Sequence, residues 1–157
     1  MDTSIFFNYP TLPASGEAGA PAPAQEEGFL AHATEAEWDA ILGATETLRF
    51  QPGDAVVRAG ERDRSFYLLL DGRLETPAGV EIVAPAAVGV AAFFDGGPRT
   101  IALKARTHGE LARMSWDAYE ALAARDPRLG RTILVELGRS LAARLHATAA
   151  SLPGWTG

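Results

Sequence analysis

A chain of 157 residues with 47% hydrophobic side chains suits one domain of ordinary size with a substantial core. Its net charge of −6 argues against the cation surplus by which proteins hold nucleic acid or anionic membrane non-specifically, and the absence of cysteine excludes disulfides, thiolate metal sites and sulfur nucleophiles. The charge is uneven: residues 1–98 carry 15 acidic and 5 basic side chains, residues 99–157 carry 9 basic and 5 acidic, which makes the second half tolerant of anions.

The opening MDTSIFFNYP has neither a basic start nor a long apolar run, so no signal peptide, membrane span or membrane insertion is expected, and a cytoplasmic location is. Residues 11–28, rich in Pro, Ala and Gly, have too few large apolar groups to fold alone, so 1–28 is expected to be a tail. At its tip Ile5, Phe6, Phe7 and Tyr9 form an apolar cluster, readable as a fold-back segment or as a peptide that docks on a partner. Thr34 followed by Glu37 is a capping box, and Trp38, Ile41 and Leu42 fall on one face of a predicted helix over about 34–45.

From Leu48 to Ser115 short apolar runs alternate with turn residues: LRF, AVVR, SFYLLL, RLET, VEIV, then RTIALKAR and ELARMS. With no helical period between them they predict an antiparallel barrel or roll, with hairpins at Asp71-Gly72 and Pro77-Ala78-Gly79. Ser115 is placed to cap a helix through Trp116, Tyr119 and Leu122, and Asp126-Pro127 breaks it and starts another. That last helix, about 128–148, sets Ile133, Leu137, Leu141 and Leu145 four residues apart with Leu134 beside them. The seam suits packing on the roll, self-association, or both.

The order of elements and two linked segments resemble the cyclic nucleotide-binding domain family, as found in catabolite-activator-like and kinase-regulatory-subunit-like proteins. FQPGDAVVRAGERDRSFYLLLDGRLE (50–75) resembles the family's opening segment, and VGVAAFFDGGPRTIALKAR (88–106) resembles its phosphate-binding cassette without a gap. The resemblance implies a mostly β fold with flanking helices, a double-stranded β-helix (a jelly-roll-like β-roll) over 29–148 with a long C-terminal helix, and a tail over 149–157. It also implies a ligand site at Gly89, Val90, Ala91, Ala92, Arg99 and Thr100. A short helix after Gly89 would offer free amides, the two alanines would let backbone come close, Arg99 would supply charge and paired donors, and Thr100 a hydroxyl.

Val90 departs from the pattern, because the family carries a glutamate there that accepts a hydrogen bond from the ligand ribose. Losing that acceptor costs about 1–3 kcal/mol or more. Val88, Phe93 and Phe94 also depart, and the two phenylalanines are expected to fill part of the pocket. Restoring glutamate at Val90 is therefore expected to raise affinity for a cyclic nucleotide.

His32, His108 and His146 are far apart, and no nucleophile elbow, zinc helix or Walker loop is present, so neither catalytic nor metal-binding residues are expected. Only ASLPGWTG follows Ala149, too little for a reading helix. The expectation is a non-catalytic adaptor with no cofactor. It would dock on a protein partner or itself through Ile5–Tyr9 and the Ile133, Leu137, Leu141, Leu145 seam, as a homo-oligomer in the latter case. The alternative is a stand-alone sensor that binds a phosphate-bearing ligand through Arg99.

Overall fold

Thr34 starts the first helix as its sequence predicts. Its hydroxyl accepts from the Glu37 amide at 3.1 Å and the Glu37 carboxylate accepts from the Thr34 amide at 2.9 Å, which satisfies two orphan donors. The computed structural model describes residues 30–150, apart from the side chains at 148 and 150; Ile5, Phe6, Phe7 and Tyr9 lie outside the described residues. Helix α1 (Glu35–Gly43) stops short of residue 45, where the Ala44 amide turns back to the Ile41 carbonyl. Ile41 is fully buried and Trp38 packs against the core, but Leu42 is 40% exposed, so the apolar face is narrower than predicted.

The described strands are β1 (Glu46–Phe50), β2 (Ala55–Val57), β3 (Ser65–Asp71), β4 (Arg73–Glu75), β5 (Glu81–Val83), β6 (Ala86–Val88), β7 (Leu103–Ala105) and β8 (Gly109–Ser115). They form two antiparallel four-stranded sheets, β1-β8-β3-β6 and β2-β7-β4-β5. Between them run α2 (Val90–Asp95), and after them α3 (Trp116–Arg125) and α4 (Pro127–Ala150). Antiparallel pairing follows from the short connections, and the one that holds a helix, 89–102 with α2, joins strands of different sheets.

The Pro77-Ala78-Gly79 hairpin is present: β4 and β5 pair from Arg73–Val83 to Glu75–Glu81, and the Gly79 amide closes on the Thr76 carbonyl with φ +84°. Asp71-Gly72 is not a hairpin. Strand β3 pairs with β6 and β8 while β4 pairs with β5 and β7, so these two residues carry the chain from one sheet to the other. The crossing needs Gly72, at φ +94°, because a Cβ there would lie 2.6 Å from the His108 carbonyl oxygen. Strand β6 has no clear sequence signal, and the long run RTIALKAR yields only the three residues of β7.

Strand β3 shows no alternation, since Ser65 through Leu69 are all buried. One face of its centre meets helices: the Phe66 ring lies 4.9 Å edge-on from Phe93 of α2, which also packs 5.0 Å from Trp116 and 5.6 Å from Tyr119. Such contacts add to the burial of four large rings. Ser115 caps α3 through the Ala118 amide and Asp126 caps α4 through the Leu129 amide, each at 3.1 Å, with Pro127 in the first turn. Gly130 lets the two helices close, for a Cβ there would lie 2.6 Å from that of Ala123, and the Tyr119 hydroxyl donates to the Gly130 carbonyl at 2.8 Å.

The α4 seam is divided. Ile133 and Leu137 are fully buried in the core of their own chain and Leu141 packs against it, so these three side chains serve the roll. Leu145 is 59% exposed and, with Val135 at 46%, is what α4 leaves to solvent of its large apolar groups. α4 also ends two residues later than predicted, at Ala150, and its Arg144 donates to the Ala87 carbonyl of β6 at 3.2 Å.

Candidate cassette site

Strand β6 delivers the chain to Gly89, whose φ of +73° turns it into α2. Both properties of this glycine are used: the backbone favours no side chain, and a Cβ would run into Nη1 of Arg99. At the far end Gly96, at φ +70°, returns its amide to the Ala92 carbonyl at 2.9 Å. Arg64 covers the same end. Its Nε donates to the Phe93 carbonyl at 2.9 Å and its Nη2 to the Phe94 carbonyl at 3.0 Å, while its guanidinium sits 3.7 Å above the Trp116 ring. A cation at a helix C-terminus and over an indole thus ties α2 to α3.

Arg99 brings the cassette back to the roll. Its side chain is 2% exposed. Nη1 donates to the Gly89 carbonyl at 2.7 Å, and Nη2 to the Ser65 carbonyl at 2.9 Å and to Asp63 Oδ2 at 3.4 Å. The guanidinium carbon lies 5.2 Å from the centre of the Tyr67 ring. The backbone at Arg99 is fixed as well, by Gly60 N–H to its carbonyl at 2.7 Å and its own N–H to the Glu61 carbonyl at 2.8 Å.

Asp63 is the hub of this cluster. Its carboxylate accepts from Ser65 Oγ and the Tyr67 hydroxyl, both at 2.8 Å, and from Arg113 through Nη2 at 2.6 Å and Nε at 3.3 Å. Burial pushes its pKa up, but the hydrogen bonds from Arg113, Ser65 and Tyr67 and the charge of Arg113 outweigh that and hold it well below the ordinary carboxylate range. The opposite shifts follow in the partners: burial and then Asp63 raise Tyr67, and the Asp63 hydrogen bond raises Arg113. A carboxylate depressed in the folded state contributes its full stability above its unfolded pKa of about 4 and loses that contribution as pH falls through the folded value. Denaturation measured from pH 7 down to pH 2 should therefore show stability falling below about pH 4. Asp63→Asn should flatten that slope, and an unchanged slope would assign the acid sensitivity to other carboxylates.

The predicted site residues separate. Gly89 and Arg99 come together through the Nη1 bond. Val90 is fully buried, Ala92 nearly so, and Ala91 and Thr100 are exposed. Phe93, expected to fill the ligand pocket, is drawn instead into the aromatic cluster with Phe66, Trp116 and Tyr119; Phe94 is half-buried beside it. Asp63, Arg64 and Arg113 were not singled out by sequence reasoning, since the partners of Asp63 and Arg113 are 50 residues apart and those of Arg64 are about 30 away. A mainly apolar cavity of about 370 Å³ opens between β2, β4 and β7, walled by Val57, Arg58, Thr76, Pro77, Leu103 and Lys104, and none of its lining residues belongs to Gly89–Thr100. Among the described residues no group of three or more His, Asp or Glu is placed to hold a metal, and no helix is long and apolar enough to cross a membrane.

Two antiparallel sheets, a glycine-led helical cassette closed by an arginine, and a long terminal helix define a β-roll of the cyclic nucleotide-binding type. The cyclic nucleotide-binding domain family model matches residues 47–126, about half of the chain, and the chain belongs to that family. Among solved structures it is similar to a cyclic nucleotide-binding domain from Methylobacillus flagellatus KT, at 23% identity and TM-score 0.70, covering 80% of this chain and 76% of that one. It is also similar to a putative cyclic nucleotide-binding protein from Geobacter metallireducens GS-15, at 21% identity and TM-score 0.61, over 75% of this chain and 92% of that one. The catabolite activator protein of Thermus thermophilus matches at 22% identity and TM-score 0.61 over 75% of this chain, which spans 60% of that protein. No curated protein matches significantly. At these identities the likeness concerns the fold.

Proposed function

We propose that this chain is a non-catalytic regulatory adaptor, a cyclic nucleotide-binding fold whose cassette is held shut by its own residues and which works through protein surfaces. The observation that carries this reading is the enclosure of Arg99. Its Nη1 and Nη2 donate to Gly89, Ser65 and Asp63, and its side chain is 2% exposed. A ligand phosphate would have to break these bonds before gaining its own, and Val90 offers no acceptor for a ribose hydroxyl in return. The surfaces through which it would meet a partner or a second copy are the exposed part of α4, with Val135 and Leu145, and, from the sequence alone, the peptide containing Ile5, Phe6, Phe7 and Tyr9.

A second reading, a stand-alone sensor of a cyclic nucleotide or other phosphate-bearing ligand, is favoured by one feature. Nε of Arg99 is buried and has no hydrogen-bond partner among the described residues, so one strong donor is unused. Calorimetric titration of the full chain with a panel of cyclic mono- and dinucleotides separates the two. The adaptor reading expects no binding at micromolar concentration; micromolar binding that Arg99→Ala abolishes would replace it with the sensor.

A further inference from the structure

Asp63 sits where an oxyanion would sit. Its two oxygens take hydrogen bonds from four side chains: Ser65 and Tyr67 on β3, Arg113 on β8, and Arg99 at the end of the cassette. The donor set is two guanidiniums and two hydroxyls, with Arg113 offering Nε and Nη2 together. Such paired, planar donors flanked by hydroxyls are the means by which proteins hold phosphate and sulfate groups. The charges do not balance. One carboxylate faces two guanidiniums, one of them 2% exposed, so the cluster keeps an excess positive charge even with Asp63 in place.

The cluster also reaches the surface. The Asp63 side chain is 19% exposed and that of Arg113 is 29% exposed, so an anion from solvent has a way in without opening the core. Val90 and Phe93, by contrast, are fully buried. Nε of Arg99 remains without an acceptor, a further donor that the Asp63 carboxylate does not serve.

We infer that the Arg99–Arg113–Tyr67–Ser65 cluster is an oxyanion site whose seat is taken by the chain's own Asp63 carboxylate, and that removing this carboxylate turns it into a receptor for inorganic phosphate or a phosphomonoester. This rests on the reading of the cassette as self-closed and names the group that closes it. Asp63 acts as a tethered anion, always present beside the arginines, against which a free anion in solution competes poorly.

The test is thermal unfolding of the full-length chain in increasing inorganic phosphate, against sodium chloride at matched ionic strength. The wild-type chain should show only the gradual, non-saturating rise that an excluded anion such as phosphate gives a folded protein without a site for it. Asp63→Ala should be less stable in chloride and show a saturable rise of several degrees in Tm specific to phosphate, as expected for an anion that binds only the folded state. If Asp63→Ala does not fold in chloride, recovery of its folded far-ultraviolet signal in phosphate is the readout. Asp63→Ala combined with Arg113→Gln should lose the saturable phosphate response. A saturable, phosphate-specific rise in the wild-type chain as large as in the variant, no saturable response or recovery in Asp63→Ala, or a saturable response that survives Arg113→Gln would each overturn the inference. Cyclic nucleotide binding by the wild-type chain would overturn the proposed function yet leave this result standing, since the phosphate response is read on the variants.

Discussion

Arg99→Ala is expected to lower the unfolding free energy by about 3 kcal/mol, the range found when one partner of a buried, hydrogen-bonded ion pair is removed. Three acceptors lose their donor together: the Gly89 carbonyl, the Ser65 carbonyl and, at longer range, Asp63. Asp63 keeps Arg113 and both hydroxyls, which is why the expected cost lies near the lower end of that range. The two carbonyls keep nothing from this side chain. An arginine reserved for a ligand would behave differently: an unpaired, buried cation costs stability in the free protein, so its removal would leave folding unchanged or improved while abolishing binding. Urea denaturation of the wild-type and variant chains therefore reads the role of Arg99 without any ligand in hand. Arg99→Lys should recover only part of the loss, because an ammonium cannot present planar paired donors to carbonyls on β3 and the cassette at once. A variant as stable as the wild-type chain would remove the basis for a self-closed cassette.

Local signals translated well into local structure. The Thr34–Glu37 box, the Pro77–Gly79 hairpin, the Ser115 cap and the Asp126-Pro127 start are each written within four residues and each is present. In the cassette, the ten-residue spacing from Gly89 to Arg99 is closed by a direct bond that the sequence does not announce. What was not legible depends on partners far away in the chain. Asp71-Gly72 has the composition of a hairpin turn, but composition does not say which strands pair; here the two flanking strands join different sheets. Ile133 and Leu137 have the spacing of a self-association seam, and spacing cannot tell a neighbour in the same chain from one in another. Asp63, in a run of alternating charges, looks like one more solvated carboxylate until folding brings Arg113 and Arg99 to it. The glutamate missing at Val90 was visible at once, but that valine lies wholly inside the core was not.

That burial reverses the effect first expected of Val90→Glu. The sequence alone suggests that glutamate would restore a ribose acceptor and raise affinity. In the structure Val90 has no exposed surface and belongs to the same core cluster as Val88 and Phe93, so a carboxylate entering there leaves water and displaces packed apolar atoms. Buried carboxyl groups respond by raising their pKa by about 3 units or more, equivalent to roughly 4 kcal/mol lost at neutral pH from desolvation, with overpacking added to it. Val90→Glu is therefore expected to be the more destabilising of the two variants at pH 7. Part of the loss should return as the pH falls from about 7 towards 4, because a group whose folded pKa is raised above its unfolded value opposes folding only to the extent that it is charged in the unfolded state. Val90→Gln, of similar size without the charge, separates the packing loss from the desolvation loss and should show no such pH dependence. A Val90→Glu chain within about 1 kcal/mol of wild type would mean that the carboxylate has reached the unused Nε of Arg99. It would then have rebuilt an acid and base pair at the cassette, and cyclic nucleotide titration of that variant would become the decisive measurement.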